Sequence, residues 1–234
     1  MKTLIRFLCL FIPSQNVRHQ LRAKYGNNKR IKYRGNNKII IHTQDGKTII
    51  NPSRIPGLTV NFNGKNSLIE LFYPIIFNNC EFNLMNDCVF TIHDSYGIKN
   101  TIIYAYDESV VFFDKNIGIE GARIHMMNER GTVLKIAKDV VLSYDIEIYT
   151  TDTHPIFDIN GKCINNKKSC VTIGEHTWIC ASCVLLKGAR IPDNVILGHS
   201  SVCSSKLPKP NCIYAGNPCK CIKKNIKWKG GTID

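Results

Sequence analysis

From Ile173 the chain falls into units of six: IGEHTW, ICASCV, LLKGAR, IPDNVI and LGHSSV. Every unit opens on Ile or Leu, and its fifth residue is Thr, Cys, Ala, Val or Ser. The same frame fits IAKDVV, LSYDIE and IYTTDT, from Ile136 to Thr153, with Val140, Ile146 and Asp152 in fifth place. A repeat at fixed period specifies a whole architecture. Here each unit is one short strand plus a turn, and three units close one triangular coil. The opening residue fills the inside of the coil. The fifth faces inward near a corner, where only a small or modest side chain fits. Stacked coils pair their backbones as parallel strands about 4.8 Å apart. Each coil buries its apolar residues only against its neighbours, so several are required.

Upstream the pattern is looser. Residues 26 to about 65 are rich in Asn, Lys and Gly, with β-branched runs on either side of a DGK turn signal in KIIIHTQDGKTII. From about 66 to 125, short apolar runs (SLIELFY, CVFTIH, NTIIYA, SVVFF) alternate with turn residues. The spacing predicts many short strands and no long helix.

The frame also breaks once. After IYTTDT the segment HPIFDINGKCINNKKSCVT, His154 to Thr172, intervenes before the repeat resumes at Ile173. A loop is therefore expected to leave the coil wall over about 154–172, with His154 as its first residue.

The N-terminus carries Leu4, Phe7, Leu8 and Phe11 at helical spacing, among Lys2, Arg6, Arg18, Arg22 and Lys24. Its longest apolar run, Phe7 to Ile12, is too short to span a bilayer, which takes about 20 residues. It also lacks the long core and small-residue cleavage site of a signal peptide. Residues 1–25 read either as a basic amphipathic helix lying on an anionic membrane surface or as a helix packed on its own domain.

A net charge of +13 favours a polyanionic partner or a phosphate-rich cofactor. Nucleic acid is not expected: no zinc finger, RNA-recognition aromatic motif or helix-turn-helix pattern accompanies the charge. The 11 cysteines are scattered rather than set in a compact disulfide framework, and read as reduced thiols of a cytosolic protein. Cys180 and Cys183 form a CxxC, but Cys183 sits in fifth place, where a small packed residue is expected. Neither the four ligands of a zinc site nor a redox-motif context accompanies it, so no metal is expected.

The hexads, the TTDTHPIFD segment, the tryptophan-bearing coils from Ile173 and the closing IYAGNPCKCIK together resemble the left-handed parallel β-helix acyltransferases, the hexapeptide-repeat family. The likeness is strongest from about Ile136 to Trp228. Within the family TTDTHPIFD is most similar to acetyltransferases of bacterial surface-polysaccharide synthesis. The resemblance implies an all-β fold, a left-handed parallel β-helix with an extruded active-site loop and the short N-terminal helix. The β-helix domain would run over 26–228, with irregular coils to about 125, regular coils over about 136–205, a closing segment over 206–228 and a tail over 229–234.

The resemblance further implies an acetyl-CoA-dependent O-acetyltransferase modifying a capsule, O-antigen or sialic-acid-containing glycan. His154 would be the general base that takes the proton from a sugar hydroxyl. An imidazole suits this because its ordinary pKa, roughly 6.5, lies near the operating pH. Asp152 would orient His154, its other reading being a solvated turn residue, and Trp178 would shape the acceptor pocket. Acetyl-CoA would lie between neighbouring subunits of a homotrimer. Ala181 and His199 would flank its pantetheine arm, and Ser204, Ser205, Lys206, Lys220, Lys223 and Lys224 would sit near its phosphates. Departures from the pattern are Tyr149, where relatives often have Arg, His199, read as a fifth-place, inward residue where the family has Ala or Gly, and a lysine displaced by one to Lys206. The enzyme would work in the cytoplasm, at the inner face of the membrane if the N-terminal helix binds lipid. The alternative on the same fold is an N-acetyltransferase of a nucleotide-linked amino sugar. The basic N-terminus and overall charge favour a polymeric anionic or membrane-linked acceptor instead.

Overall fold

The computed structural model describes residues 29–165 and 170–231. The N-terminal segment, for which an amphipathic helix over 1–25 is expected, and residues 232–234 of the tail lie outside the described residues. Among the described residues every regular element is a β-strand.

The chain winds through seven coils. The first holds β1 (Lys38–His42), β2 (Thr48–Ile50) and β3 (Leu58–Phe62). The second holds β4 (Leu68–Phe72), β5 (Ile75–Asn78) and β6 (Cys80–Leu84). The third holds β7 (Val89–Ile92), β8 (Ser95–Lys99) and β9 (Thr101–Ala105). The fourth holds β10 (Val110–Phe113), β11 (Ile117–Ile119) and β12 (Ala122–Met126). The fifth holds β13 (Val133–Ile136), β14 (Val141–Leu142) and β15 (Ile146–Tyr149). The sixth holds β16 (Cys170–Ile173), β17 (Trp178–Ile179) and β18 (Val184–Leu185). The seventh holds β19 (Arg190–Ile191), β20 (Ile196–Leu197) and β21 (Val202–Cys203). A hairpin of β22 (Cys212–Gly216) and β23 (Cys219–Lys224) closes the stack.

Equivalent strands of successive coils pair in parallel and build three walls. Wall one runs β1-β4-β7-β10-β13-β16-β19, wall two β5-β8-β11-β14-β17-β20-β22, and wall three β3-β6-β9-β12-β15-β18-β21. The architecture is a parallel β-solenoid, as the period predicts. The DGK signal makes its hairpin: β2 folds antiparallel on β1, with Ile41 opposite Ile49.

The hexad frame locates the interior. Ile173, Ile179, Leu185, Ile191 and Leu197 are buried in first place, and Thr177, Cys183, Ala189, Val195 and Ser201 in fifth. Burial pushes the Cys183 thiol up to about 11, and its Sγ donates to the Gly198 carbonyl at 3.1 Å. It fills a corner as a small apolar residue, as its place in the frame suggests. His199 is not an inward residue. It is third in its unit and exposed, and the small fifth-place residue is Ser201.

The upstream coils are as ordered as the hexads but wider, with walls of up to five residues and larger fillers. Phe82 stands edge-on to Phe77 and to Phe90, at centroid separations of 5.9 and 5.6 Å. Their corners are made by left-handed residues. Asn66, Asp87 and Glu108 turn the chain into wall one, and Asn79 and Asn100 turn it into wall three, all at positive φ. Asn and Asp tolerate that conformation because a short polar side chain bonds locally. Here the bonds climb the stack: Asn79 Nδ2 donates to Asn100 Oδ1 at 3.0 Å, and Asn100 Nδ2 to the Glu120 carbonyl at 3.1 Å. We expect Asn100→Val to lower the stability by about 1–3 kcal/mol through strain at positive φ, with Asn100→Gly losing less. Urea midpoints of the two variants check this; equal losses would mean that the bonds, not the backbone, matter.

The loop re-enters the wall earlier than expected. The sequence frame puts it over about 154–172, yet Cys170–Ile173 already pairs in register with Val133–Ile136 as β16. The partner strand in the coil below is four residues long, so pairing recruits Cys170–Thr172 ahead of the first hexad residue.

Candidate active site

The loop leaves at the corner where wall three passes into wall one. Ile148 is buried at the end of β15, and Thr150 and Thr151 are also buried. The Thr153 N–H donates to Thr151 Oγ1 at 2.9 Å, and Thr153 takes a φ of 66°. The His154 N–H donates to the Asp152 carbonyl at 2.7 Å. This tight turn throws both Asp152 and His154 outward; both are exposed. The frame alone would put Asp152 in the coil interior. The turn avoids burying a bare carboxylate, which is costly without a partner.

Beyond His154 the loop is a small hairpin. Phe157 bridges Cys163, and the Asp158 carboxylate caps the tip by accepting from the N–H groups of Asn160 and Lys162, both at 2.9 Å. Ile156, Phe157, Ile159 and Ile164 stand exposed on it. Asn165 ties its base together. Its Nδ2 donates to Asp152 Oδ2 at 3.1 Å and to the His154 carbonyl at 2.9 Å, and its Oδ1 accepts from the Ile156 N–H at 2.8 Å.

Lys187, at the same corner one coil above, completes the arrangement. Its Nζ lies 2.9 Å from Glu129 Oε2, 2.9 Å from the Asn165 carbonyl and 3.4 Å from Asp152 Oδ2. Burial draws the ammonium's pKa down, but the bond and charge of Glu129, with Asp152 behind it, outweigh burial and hold it above the ordinary lysine value. The carboxylate of Asp152 is thus engaged by Asn165 and Lys187, while its main-chain carbonyl meets His154. Lys187, Glu129 and Asn165 are absent from the residues singled out in the sequence. Nothing in their spacing marks them, because they meet only when the corners of the fourth, fifth and sixth coils stack.

Trp178 lies elsewhere, on the outer face of wall two. Its Nε1 donates to Ser143 Oγ at 3.2 Å, and its ring sits 5.9 Å from Trp228. Trp228 is stacked on His176 at 4.4 Å. Its Nε1 donates to the His176 carbonyl at 2.8 Å, and His176 Nε2 donates to the Trp228 carbonyl at 3.0 Å. The closing segment is thereby fastened along the wall that carries Trp178, a contact the sequence does not reveal.

The remaining sites divide between the same two regions. Ala181 and His199 share the corner from wall two to wall three, where the Ala181 carbonyl accepts from the Ser200 N–H at 3.0 Å. His199 Nδ1 there meets Ser200 Oγ at 2.7 Å. Lys220 reaches this end of wall two opposite Ala215, and Lys223 lies further along β23 opposite Ile213, beside Lys224. Ser204, Ser205 and Lys206 are exposed at the His154 corner, two coils up, where Lys206 bridges Arg190. The candidate residues therefore fall into two separated groups on one chain. Asp152, His154 and Ser204–Lys206 line one corner, and Trp178, Ala181, His199 and Lys220 occupy the opposite wall and its far corner. A triangular coil sets that corner and that wall across the core from each other, so His154 and Trp178 are not brought together within one chain.

No family model matches the chain. Curated relatives do. The chain is 29% identical over 137 residues to a polysialic acid O-acetyltransferase of Escherichia coli O1:K1 / APEC, covering 58% of this chain and 43% of that protein. It is 43% identical over 101 residues to the polysialic acid O-acetyltransferase of Neisseria meningitidis, covering 43% of this chain and 46% of that protein. The galactoside O-acetyltransferase of Escherichia coli (strain K12) is 27% identical over 125 residues, covering 51% of this chain and 61% of that protein. The chain thus spans about half the length of the curated relatives it matches. Among solved structures, the polySia-specific acetyltransferase NeuO superposes with a TM-score of 0.71 at 23% identity, over 84% of this chain and 86% of that one. The polysialic acid O-acetyltransferase OatWY does so at 0.66 and 24% identity, over 86% and 93%. These superpositions show the fold, a parallel β-solenoid, and the curated matches make the chain similar to polysialic acid O-acetyltransferases over about half of their length.

Proposed function

We propose that this protein is an acetyl-CoA-dependent O-acetyltransferase acting on a bacterial surface glycan, with polysialic acid the first acceptor to test because two curated relatives carry that name. His154 accepts the proton of a sugar hydroxyl as its oxygen attacks the thioester carbonyl. The C–S bond then breaks, and coenzyme A leaves as the thiol with that proton. The chain's own residues hold the base, by the Asp152–Asn165–Lys187 arrangement, and offer basic side chains to the cofactor's phosphates.

The observation that carries this reading is the pair of half-sites. A base on one corner and an indole with an open coil corner on the opposite wall make a working site only when two copies meet. We read the protein as an oligomer on that ground, and as the homotrimer that the resemblance implies. The exposed Ile156, Phe157, Ile159 and Ile164 of the hairpin supply an apolar contact for the neighbour. We read the coil as left-handed, the hand implied by the resemblance. Light scattering decides the oligomer, and a monomer fully active at nanomolar concentration would refute it.

The direct test is acetyl-CoA turnover against a panel of acidic and neutral glycans, followed by free-thiol release. An alkali-labile ester on the polymer supports the proposal. An amide on a nucleotide-linked amino sugar would establish the N-acetyltransferase alternative instead. The N-terminal segment has its own test. Deleting residues 1–24 is expected to lower binding to anionic liposomes and to leave turnover of soluble acceptor largely intact; unchanged liposome binding would assign the segment a structural role.

A further inference from the structure

Among the described residues, Lys187 is the least exposed cation in any ion pair, with 10% of its side chain accessible, and it serves three partners at once. A single ion pair would not need this. Glu129 ends the fourth coil, Asp152 the fifth, and Lys187 the sixth, so the lysine reaches down the corner past Asp152 to Glu129. Its third partner, the Asn165 carbonyl, belongs to the returning stem of the hairpin. The two main-chain groups of His154 end on the residues that Lys187 holds. The N–H donates to the Asp152 carbonyl, and the carbonyl accepts from Asn165 Nδ2. His154 itself has an exposed side chain at an outward turn, with no wall packed around it. Its direction is therefore set through its backbone.

We propose that Lys187 is a positioning residue for His154: by binding Asp152, Glu129 and the hairpin stem together it fixes the direction of the catalytic imidazole, without itself touching either substrate. This rests on the reading of His154 as the base.

The chemistry favours a lysine here. Three donors on one flexible stem match three acceptors from three different segments. Remove the ammonium, and the Glu129 and Asp152 carboxylates face each other at one corner without a cation. They repel, Asp152 swings to water, and the Asn165 bridge to His154 loses one of its supports. Misplacement of a catalytic group by about 1 Å costs on the order of 100-fold in rate.

The test compares Lys187→Met, Lys187→Arg and Asn165→Ala in the full chain. Lys187→Met is expected to lower kcat roughly 10- to 100-fold, with KM for acetyl-CoA unchanged. Lys187→Arg should restore part of that loss, because it keeps the charge and at least two donors. Asn165→Ala cuts the same support from the loop side, leaves the coils untouched, and should lower kcat with the same KM pattern. The deciding measurement is Lys187→Met in a His154→Ala background, read by single-turnover transfer. A residue that acts only through His154 costs nothing further once the imidazole is gone. A further loss there would overturn the proposal, as would a Lys187→Met enzyme with kcat within twofold of the parent. Near-normal transfer by His154→Ala alone would instead remove the base assignment on which the proposal stands, and would be seen independently of Lys187.

Discussion

His154→Ala is expected to lower the proposed acetyl transfer by roughly 10²–10⁴-fold, the usual worth of a positioned general base, while acetyl-CoA binding changes little. The structure supports both halves of this expectation. The imidazole is exposed and packs against no wall, so removing it opens no cavity and should leave the melting temperature nearly unchanged; surface substitutions of this kind stay within about ±0.5 kcal/mol. The basic residues proposed to meet the cofactor, Lys206, Lys220 and Lys223, lie on later coils and on the closing hairpin. None depends on the His154 side chain. Steady-state transfer measured beside equilibrium binding of acetyl-CoA separates the two effects. Transfer within a few-fold of the parent would show that the hydroxyl is activated by some other group.

The two readings weighed for Asp152, an orienting carboxylate or a solvated turn residue, resolve into a third arrangement. Its side chain is exposed yet bound to Asn165 and Lys187, and its contact with His154 runs through its own carbonyl. Any catalytic effect of Asp152→Asn should therefore resemble that of Lys187→Met and not exceed it.

The repeat was readable where one side-chain rule governs every unit. From Ile173 to Val202 each coil needs the same narrow interior, so first and fifth places are filled alike and the period stands out. The lower coils keep the fold but relax the rule. Their strands are longer and Phe77, Phe82 and Phe90 fill the middle, so the unit length varies, although each corner still sets a small buried residue after one at positive φ, as in Asn66–Ser67, Asp87–Cys88 and Asn100–Thr101. Asn79 and Asn100, or Asn66 and Asp87, carry a real periodicity there. A hydrophobic frame does not register it, because the repeating element is a polar turn residue. The site was legible to the same degree. His154 announces itself by standing where the frame breaks. Lys187 sits third in LLKGAR, an ordinary outward place, and only the stacking of corners shows that it meets Glu129. The contact of Trp228 with His176 is equally silent in the sequence, since it joins the closing segment to a coil begun many residues earlier.

Co-expression of His154→Ala with Trp178→Ala chains is expected to restore activity that neither variant has alone. The argument follows from the two half-sites. His154 stands at the corner between walls three and one, Trp178 on wall two, and a rigid coil cannot bring them together. If the working site takes its base from one copy and its indole from the next, a mixed ring contains junctions where an intact His154 faces an intact Trp178. Random assembly of equal amounts gives about a quarter of the junctions in that state, because each partner contributes its intact half with even odds. The recovered rate should therefore approach a quarter of the parent's and exceed the sum of the two single variants. Both substitutions truncate exposed side chains, Trp178 being 37% accessible, so assembly itself should survive and can be confirmed by light scattering of the mixture. A mixture that assembles yet stays at the sum of its parts would place base and indole in service of separate sites, and would end the shared-site reading together with the homotrimer argument built on it.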